Sequence, residues 1–535
     1  MKKFFLSFVG VLLSATALMA QPAAYDKIIA ESENNPQAFH HLEVLTGRFG
    51  GRILGSDAFE NAQAWIAREF TKWGVDVFFE ECGELPFGFN RDAWSGRIIG
   101  AENCSFTDLH FVTPSYTSGT LGCQRGHVVS EPKTMAEFER MKGQLKGAWV
   151  LVDGESTGFP IGHSRKNDSI RAHAKQANIE IAARNTQRMM EARRVRINPE
   201  LEPYEVAPAL FYDEMVAAGV LGFIQSAPVP LRALYDRAMI DEKIVTDFDS
   251  LPTVPDIKLD ETQFAVIKRM ADERRSFWLE FDIRNHFKLG PVKYGNLVGE
   301  IKGTEFPDEY VLFGAHLDSY DAGTGAVDDG TGTAPMIEAA RLIALSGAKP
   351  KRTIRFISFC GEEFGLWGSL AYCKQHKDEL DKVSNLFNRD YGIEPPVGIS
   401  VPQSMYDDFV TACAPLAKLS DPRFPEFTVT VNPSPRRQPT TPGGSDDSSF
   451  GIQGVPIVNF TCTDVFGTNF TYSEIWHTER DILNKQVPEY QQRTALVEAI
   501  VGLGLANLDH QLSRENIWGA PETPAPAPKG KGKKK

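Results

Sequence analysis

The chain has 535 residues, 42% of them hydrophobic and 10% aromatic, which is apolar material for two globular domains rather than one. Its formal net charge of -13 argues against a general nucleic-acid surface, because neutralising phosphates needs clustered Lys and Arg and no basic stripe occurs before the last residues. Seven cysteines (Cys82, Cys104, Cys123, Cys360, Cys373, Cys413, Cys462) are too few for a disulfide scaffold at this length, and none has the CxxC spacing of a thiolate metal site.

The first residues, MKKFFLSFVGVLLSATALMA, combine two lysines, an apolar run from Phe4 to Leu13, and small residues at Ala15, Ala17 and Ala20. This is the pattern of a signal peptide over 1–20, and it predicts export to the periplasm or beyond the cell. The apolar run is shorter than the ~20 residues of a spanning helix, so no stable membrane anchor is expected after processing. Residues 21–85 read as the N-terminal part of the main domain. SDAFENAQAWIAREFTKW places Phe59, Ala62, Trp65, Ile66 and Phe70 on one helix face, with Ser56 or Asp57 as cap and Gly74 as stop before the strand VDVFFE.

Between 86 and 290 the texture changes to short apolar runs split by Gly, Pro and charges, for example GAWVLVDG, GVLGFIQS and TVPDIKL. This reads as an inserted α+β cap module. Within it RAHAKQANIEIAARNTQRMMEARRVR (171–196) is a basic helix, either a solvated face or a cap turned toward substrate. His163 and His173 fall in this region without a pattern that marks a site.

Residues 291–515 alternate strand and helix. YVLFGA, TIRFISF, VSNLFN and VPIVNFTC are strand-length apolar runs, whereas TAPMIEAARLIALSG, LWGSLAYCKQH and VPEYQQRTALVEAIVGLGLANL are helical. The pattern predicts an α/β domain with a mostly parallel central sheet flanked by helices. In its first helix Thr333 is the expected cap, Pro335 suits the first turn and Gly347 ends it. The remainder, 516–535, ending in APETPAPAPKGKGKKK, reads as a disordered basic tail.

Chemistry collects where the apolar strands end. YVLFGA delivers His316, TIRFISF delivers Glu362 and Glu363, VSNLFN delivers Asp390, and VPIVNFTC leads to the loop with His477. In open α/β sheets ligands bind at the carboxyl ends of strands, so these residues are expected to converge. Imidazole mixed with carboxylate suits zinc, and two zinc ions need a shared carboxylate between them. Asp328, in the glycine-rich GTGAVDDGTG turn, is the candidate bridge. The adjacent Glu362 and Glu363 cannot point the same way, so one is expected to ligate metal and the other to take a proton from attacking water and pass it to the leaving amine.

HLDSYDAGTGAVDDGTGT, CGEEFG, NRDYG, GGSDDSSFGIQGVP and IWHTERD together resemble the motifs of the co-catalytic zinc aminopeptidase and glutamate carboxypeptidase superfamily. The run from LPTVPDIKLD through NLVGEIKG to HLDS is most similar to its plasma glutamate carboxypeptidase branch, closely over the catalytic half and loosely over the inserted module. The resemblance implies a zinc exopeptidase fold carrying a protease-associated-like module and two zinc ions. It implies His316 and Asp390 on one zinc, Glu363 and His477 on the other, Asp328 on both, and Glu362 as general base. It further implies that Asp318 accepts a hydrogen bond from His316, that the Asp328–Asp329 peptide is cis, and that a homodimer forms. Asp446 is expected either to face the substrate pocket or to cap a loop, and Asp329 and Asp481 to be structural. Where many relatives have Tyr before the last histidine this chain has Trp476, which leaves Tyr472 as the candidate to hold an oxyanion.

The leading expectation is therefore an exported exopeptidase acting on short peptides, as an aminopeptidase, dipeptidase or carboxypeptidase. Two alternatives stand beside it: a one-zinc glutaminyl cyclase of the same fold, and a non-catalytic peptide-binding protein.

Overall fold

The computed structural model describes residues 23–515 and 517, apart from 242, 420–426 and 435–437. The expected export signal lies outside the described residues, as does the expected basic tail except for residue 517. Among the described residues, no helix is long and apolar enough to cross a membrane.

In chain order the strands of the main sheet are β1 (Asp76–Ile99), β2 (Phe111–Val112), β3 (Gln124–Ser130), β4 (Ala148–Glu155), β5 (Gly222–Ala227), β6 (Asp256–Asp260), β7 (Trp278–Ile301), β8 (Phe306–His316), β9 (Arg352–Phe359) and β10 (Val383–Asn388). They form one ten-stranded sheet in the order β10-β8-β9-β7-β3-β4-β5-β6-β2, with β1 paired along β7. β10, β8 and β9 are mutually parallel, as are β3 through β6, and β7 is antiparallel to β1, β3 and β9. The fold is thus α/β, with a large mixed sheet covered by helices.

β1 and β7 are each 24 residues long and pair from Asp76↔Glu300 to Ile99↔Trp278. The ribbon they make passes through positions 85 and 290, where the sequence texture changes. β7 hands its C-terminal end to β9 and its N-terminal end to β3, so the sheet continues from the peptidase half into the segment that follows β1.

The sequence explains the elements that position the site. β9, RTIRFISF, is buried at every residue, as expected of a strand covered on both faces. The helix Asp57–Trp73 starts where Ser56 Oγ accepts from the Phe59 N–H and stops at Gly74 with φ +76°. The helix Gly330–Ser346 begins three residues before the expected cap. Asp329 accepts from the Gly332 N–H there, while the Thr333 hydroxyl donates to the His316 carbonyl, so Pro335 falls inside the helix rather than at its start.

VPIVNFTC departs further from expectation. Only Phe460–Cys462 is a strand (β13), and it joins β11 (Pro396–Val401) and β12 (Thr430–Pro433) in a separate three-stranded sheet. The preceding residues run beside β10 without a ladder, because the Asn385 side chain takes both the Val458 N–H and its carbonyl, at 2.8 and 3.0 Å.

Beneath the strands, the rings of Phe356, Phe313, Phe387 and Phe460 stack in turn at centroid spacings of 5.5, 5.1 and 5.2 Å. Phe356 is fully buried and also meets Phe70 of the helix Asp57–Trp73. Phe356→Ala is expected to lower stability by ~3–5 kcal/mol, seen as a lower denaturant midpoint at unchanged slope.

Candidate metal centre

The ends of three parallel strands and two loops meet at one point. His316 closes β8, and its Nδ1 lies 2.8 Å from the Asp318 backbone carbonyl. A carbonyl only accepts, so Nδ1 carries the proton and Nε2 presents a lone pair. That lone pair faces Asp328 Oδ1 at 3.2 Å and Asp390 Oδ1 at 3.6 Å. The second Asp328 oxygen lies 3.5 Å from His477 Nε2, which is itself 2.9 Å from Glu363 Oε2. Ligand atoms of His316, Glu362 and Asp390 all lie within 4.8 Å of one another, and so do those of Asp328, Glu363 and His477.

This donor set fits metal ions. Acceptors facing acceptors at these distances repel unless a cation lies between them, and His316 Nε2 and Glu363 Oε1 have no hydrogen-bond partner. Burial pushes the Glu362 and Glu363 carboxyls well above the usual carboxylate range. Burial opposes charge on His316 too, but Asp390 and Asp328 outweigh it and raise its pKa well above that of a free imidazole, so that Nε2 presents its lone pair to a metal ion and takes up a proton without one. His477, by contrast, is pushed down to about 4 by burial and so is neutral, with its ring free to ligate. Two imidazoles and several carboxylates are the chemistry of a zinc site.

The loops are held by groups outside the two candidate ligand clusters. Asp318 is fully buried, and its carboxylate accepts from the Glu362 and Glu363 N–H groups, each at 3.2 Å. The acceptor for His316 is therefore the Asp318 carbonyl rather than its carboxylate, which the two glutamate amides already occupy. Asp329 accepts from the His316 N–H and caps the next helix, and the Asp328–Asp329 peptide is cis. Asp481 grips the bridging turn by accepting from the Val327 and Asp328 N–H groups at 2.6 and 3.2 Å. Arg52, fully buried, donates to the carbonyls of Leu317, Thr324 and Gly325 and fastens that turn to the N-terminal segment.

His477 has φ +59°, a left-handed conformation that costs a non-glycine residue about 1–2 kcal/mol. Its ring lies between Tyr320 and Trp476, at centroid distances of 4.4 and 4.2 Å. Trp476 stays 42% exposed, with the Arg232 guanidinium 5.1 Å from its ring centre. Tyr472 lines the cavity over the ligand groups. Asp446 neither lines the pocket nor caps the short helix Asp447–Gly451: it is fully buried, and burial pushes it up to about 8. His163 pairs with Asp168 and Asp213 at the start of the helix Arg165–Val195 and is not in the wall of that cavity.

A cavity of about 620 Å³ opens over the ligands, with Glu362, Asp390 and Trp476 in its wall. Phe159, Tyr235 and Arg237, from the 86–290 segment, line it as well. Nothing in their sequence surroundings marked them, since that segment has no periodicity that places individual side chains at a site.

Residues 296–501 match the model of peptidase family M28, "Peptidase family M28", and contain every residue of both ligand groups. The chain is 28% identical to carboxypeptidase Q of Mus musculus over 320 residues, 57% of this chain and 63% of that protein. It is 25% identical to carboxypeptidase Q of Xenopus laevis over 503 residues, 89% of this chain and 98% of that one. The chain thus spans less than two thirds of the mouse relative and nearly all of the frog one. Among solved structures, a peptidase M28 precursor from Shewanella amazonensis SB2B shares the fold, with a TM-score of 0.54 at 20% identity, covering 94% of this chain and 98% of that one. Over residues 296–501, which hold both ligand groups, this chain is similar to peptidase family M28.

Proposed function

We propose that the chain is an exported two-zinc exopeptidase that hydrolyses short peptides from a free terminus. The observation that carries this reading is the Asp328 carboxylate, one oxygen facing His316 and the other His477. In this reading His316 and Asp390 hold one zinc, Glu363 and His477 the other, and Asp328 both. Zinc bound there supplies Lewis acidity, which polarises a scissile carbonyl and acidifies water.

The protein's own groups do the rest. Glu362, on the cavity wall, takes the proton of the attacking water on its carboxylate and returns it to the nitrogen of the leaving residue. Its N–H is fixed by Asp318, so the base stands on a rigid turn. Tyr472 is the proposed donor to the developing oxyanion, because Trp476 offers only an indole N–H.

Residues 86–290 act here as the inserted module. With Phe159, Tyr235 and Arg237 in its wall, the cavity has the size of a small-ligand site, which favours peptides of a few residues. The leader pattern at 1–20 supports export.

Comparing a dipeptide with its N-acetylated and its C-amidated forms tests the reading. At least one block is expected to reduce kcat/KM by ten-fold or more (~1.4 kcal/mol or above). Equal cleavage of all three sinks the exopeptidase assignment.

A further inference from the structure

The loop that supplies His477 is gripped from two sides. Asp481 ties its end to the bridging turn, as described above. The other grip comes from the 86–290 segment. Arg232 forms an antiparallel bridge with Thr478, the Glu479 N–H donates to the Leu231 carbonyl at 3.0 Å, and the Leu231 N–H donates to Glu479 Oε1 at 3.3 Å. The remaining oxygen, Glu479 Oε2, lies 2.8 Å from His110 Nε2, and His110 Nδ1 lies 3.2 Å from Asp260 Oδ2.

His110 is well anchored on its own side. Its N–H donates to Gln263 Oε1 at 2.8 Å, and its carbonyl accepts from the Asp260 N–H at 2.9 Å, beside the edge pair β2–β6. Asp260 in turn caps the helix Glu261–Asp272 through its other oxygen. A neutral imidazole has one N–H, whereas here both ring nitrogens face carboxylate oxygens, which only accept. The arrangement is complete only with an imidazolium between two carboxylates.

We propose that His110 is a positioning residue for the metal centre: bridging Asp260 and Glu479 as an imidazolium, it clamps the 475–481 loop to the inserted module and holds His477 where it ligates. The left-handed backbone at His477 gives the clamp its task, since such a conformation lasts only where neighbours over-determine it. The proposal rests on the reading of His477 as a zinc ligand.

The clamp carries its own pH dependence. The charged groups facing the ring are Glu479 from the ligand loop and Asp260 from the module, and Glu479 contributes most to raising the His110 pKa to about 9. The folded value lies above the ordinary imidazole pKa of ~6.5, so the clamp is complete below ~6.5 and is lost as pH rises through about 9.

The test uses the zinc-loaded full chain as wild type, His110→Gln, Glu479→Gln and the double variant. Each is assayed for zinc retention against a competing chelator and for kcat and KM from pH 6 to pH 10. His110→Gln is expected to hold zinc ~10-fold more weakly, to lower kcat more than KM, and to abolish the alkaline limb near pH 9. Glu479→Gln is expected to do the same, and the double variant to be no worse than either single one. If His110→Gln fails to fold, Glu479→Gln carries the same zinc and pH readouts. Wild-type zinc retention together with an intact alkaline limb in the folded single variants overturns the clamp, as do effects that add in the double variant. A wild type that takes up no zinc overturns the metal-centre reading instead.

Discussion

Glu362→Gln is expected to reduce kcat by ~10²–10⁴-fold or more while zinc content and KM stay near wild type. Gln keeps the volume and packing of the side chain, and the backbone N–H that donates to Asp318 is untouched. What disappears is the one acceptor on the cavity wall proposed to take a proton, with Glu363 committed to the pair with His477. Steady-state kinetics on a cleaved dipeptide, with metal analysis of the same sample, provide the check. Activity within ten-fold of wild type at full metal content removes Glu362 from the role of base.

Stripping metal with a chelator is expected to abolish hydrolysis and to lower the thermal midpoint, with both restored at about two zinc ions per chain. The physical reason is the crowd of carboxylates from Asp328, Glu362, Glu363 and Asp390 around His316 and His477. Without a cation these groups repel one another or bind protons, at a cost to the folded state. A ligand present at 1,000 times its Kd adds about 4 kcal/mol to stability, so the shift is large enough for calorimetry. Saturation near one zinc per chain favours the cyclase alternative, and full activity in stripped protein refutes the metal reading outright.

Much of the centre was legible in the sequence because its donors sit directly after apolar runs. His316, Glu362, Glu363 and Asp390 follow strands whose burial alone defines them, and their convergence follows from a parallel sheet. The support beneath them was less legible. The acceptor that fixes the His316 tautomer is a backbone carbonyl, which no residue type announces, and the Asp318 carboxylate serves two amides instead. VPIVN has strand composition, yet an asparagine side chain on β10 satisfies its backbone, a substitution visible only once the two segments lie side by side. Arg52 and His110 were silent for a related reason. Arg52 reaches the Leu317 carbonyl 265 residues on, and His110 reaches carboxylates 150 and 369 residues on, beyond the reach of any local pattern.

The β1/β7 ribbon has a consequence for how such a molecule can change over generations. An antiparallel ribbon can be lengthened or shortened at its distal end without altering the register at its base. The base, where β7 lies against β9, sets the height of β8, which ends in His316, and of β9, which leads into Glu362. Whatever grows on the distal end can therefore be remodelled for new substrates while the catalytic geometry stays fixed, provided that the contacts reaching back to the 475–481 loop are kept.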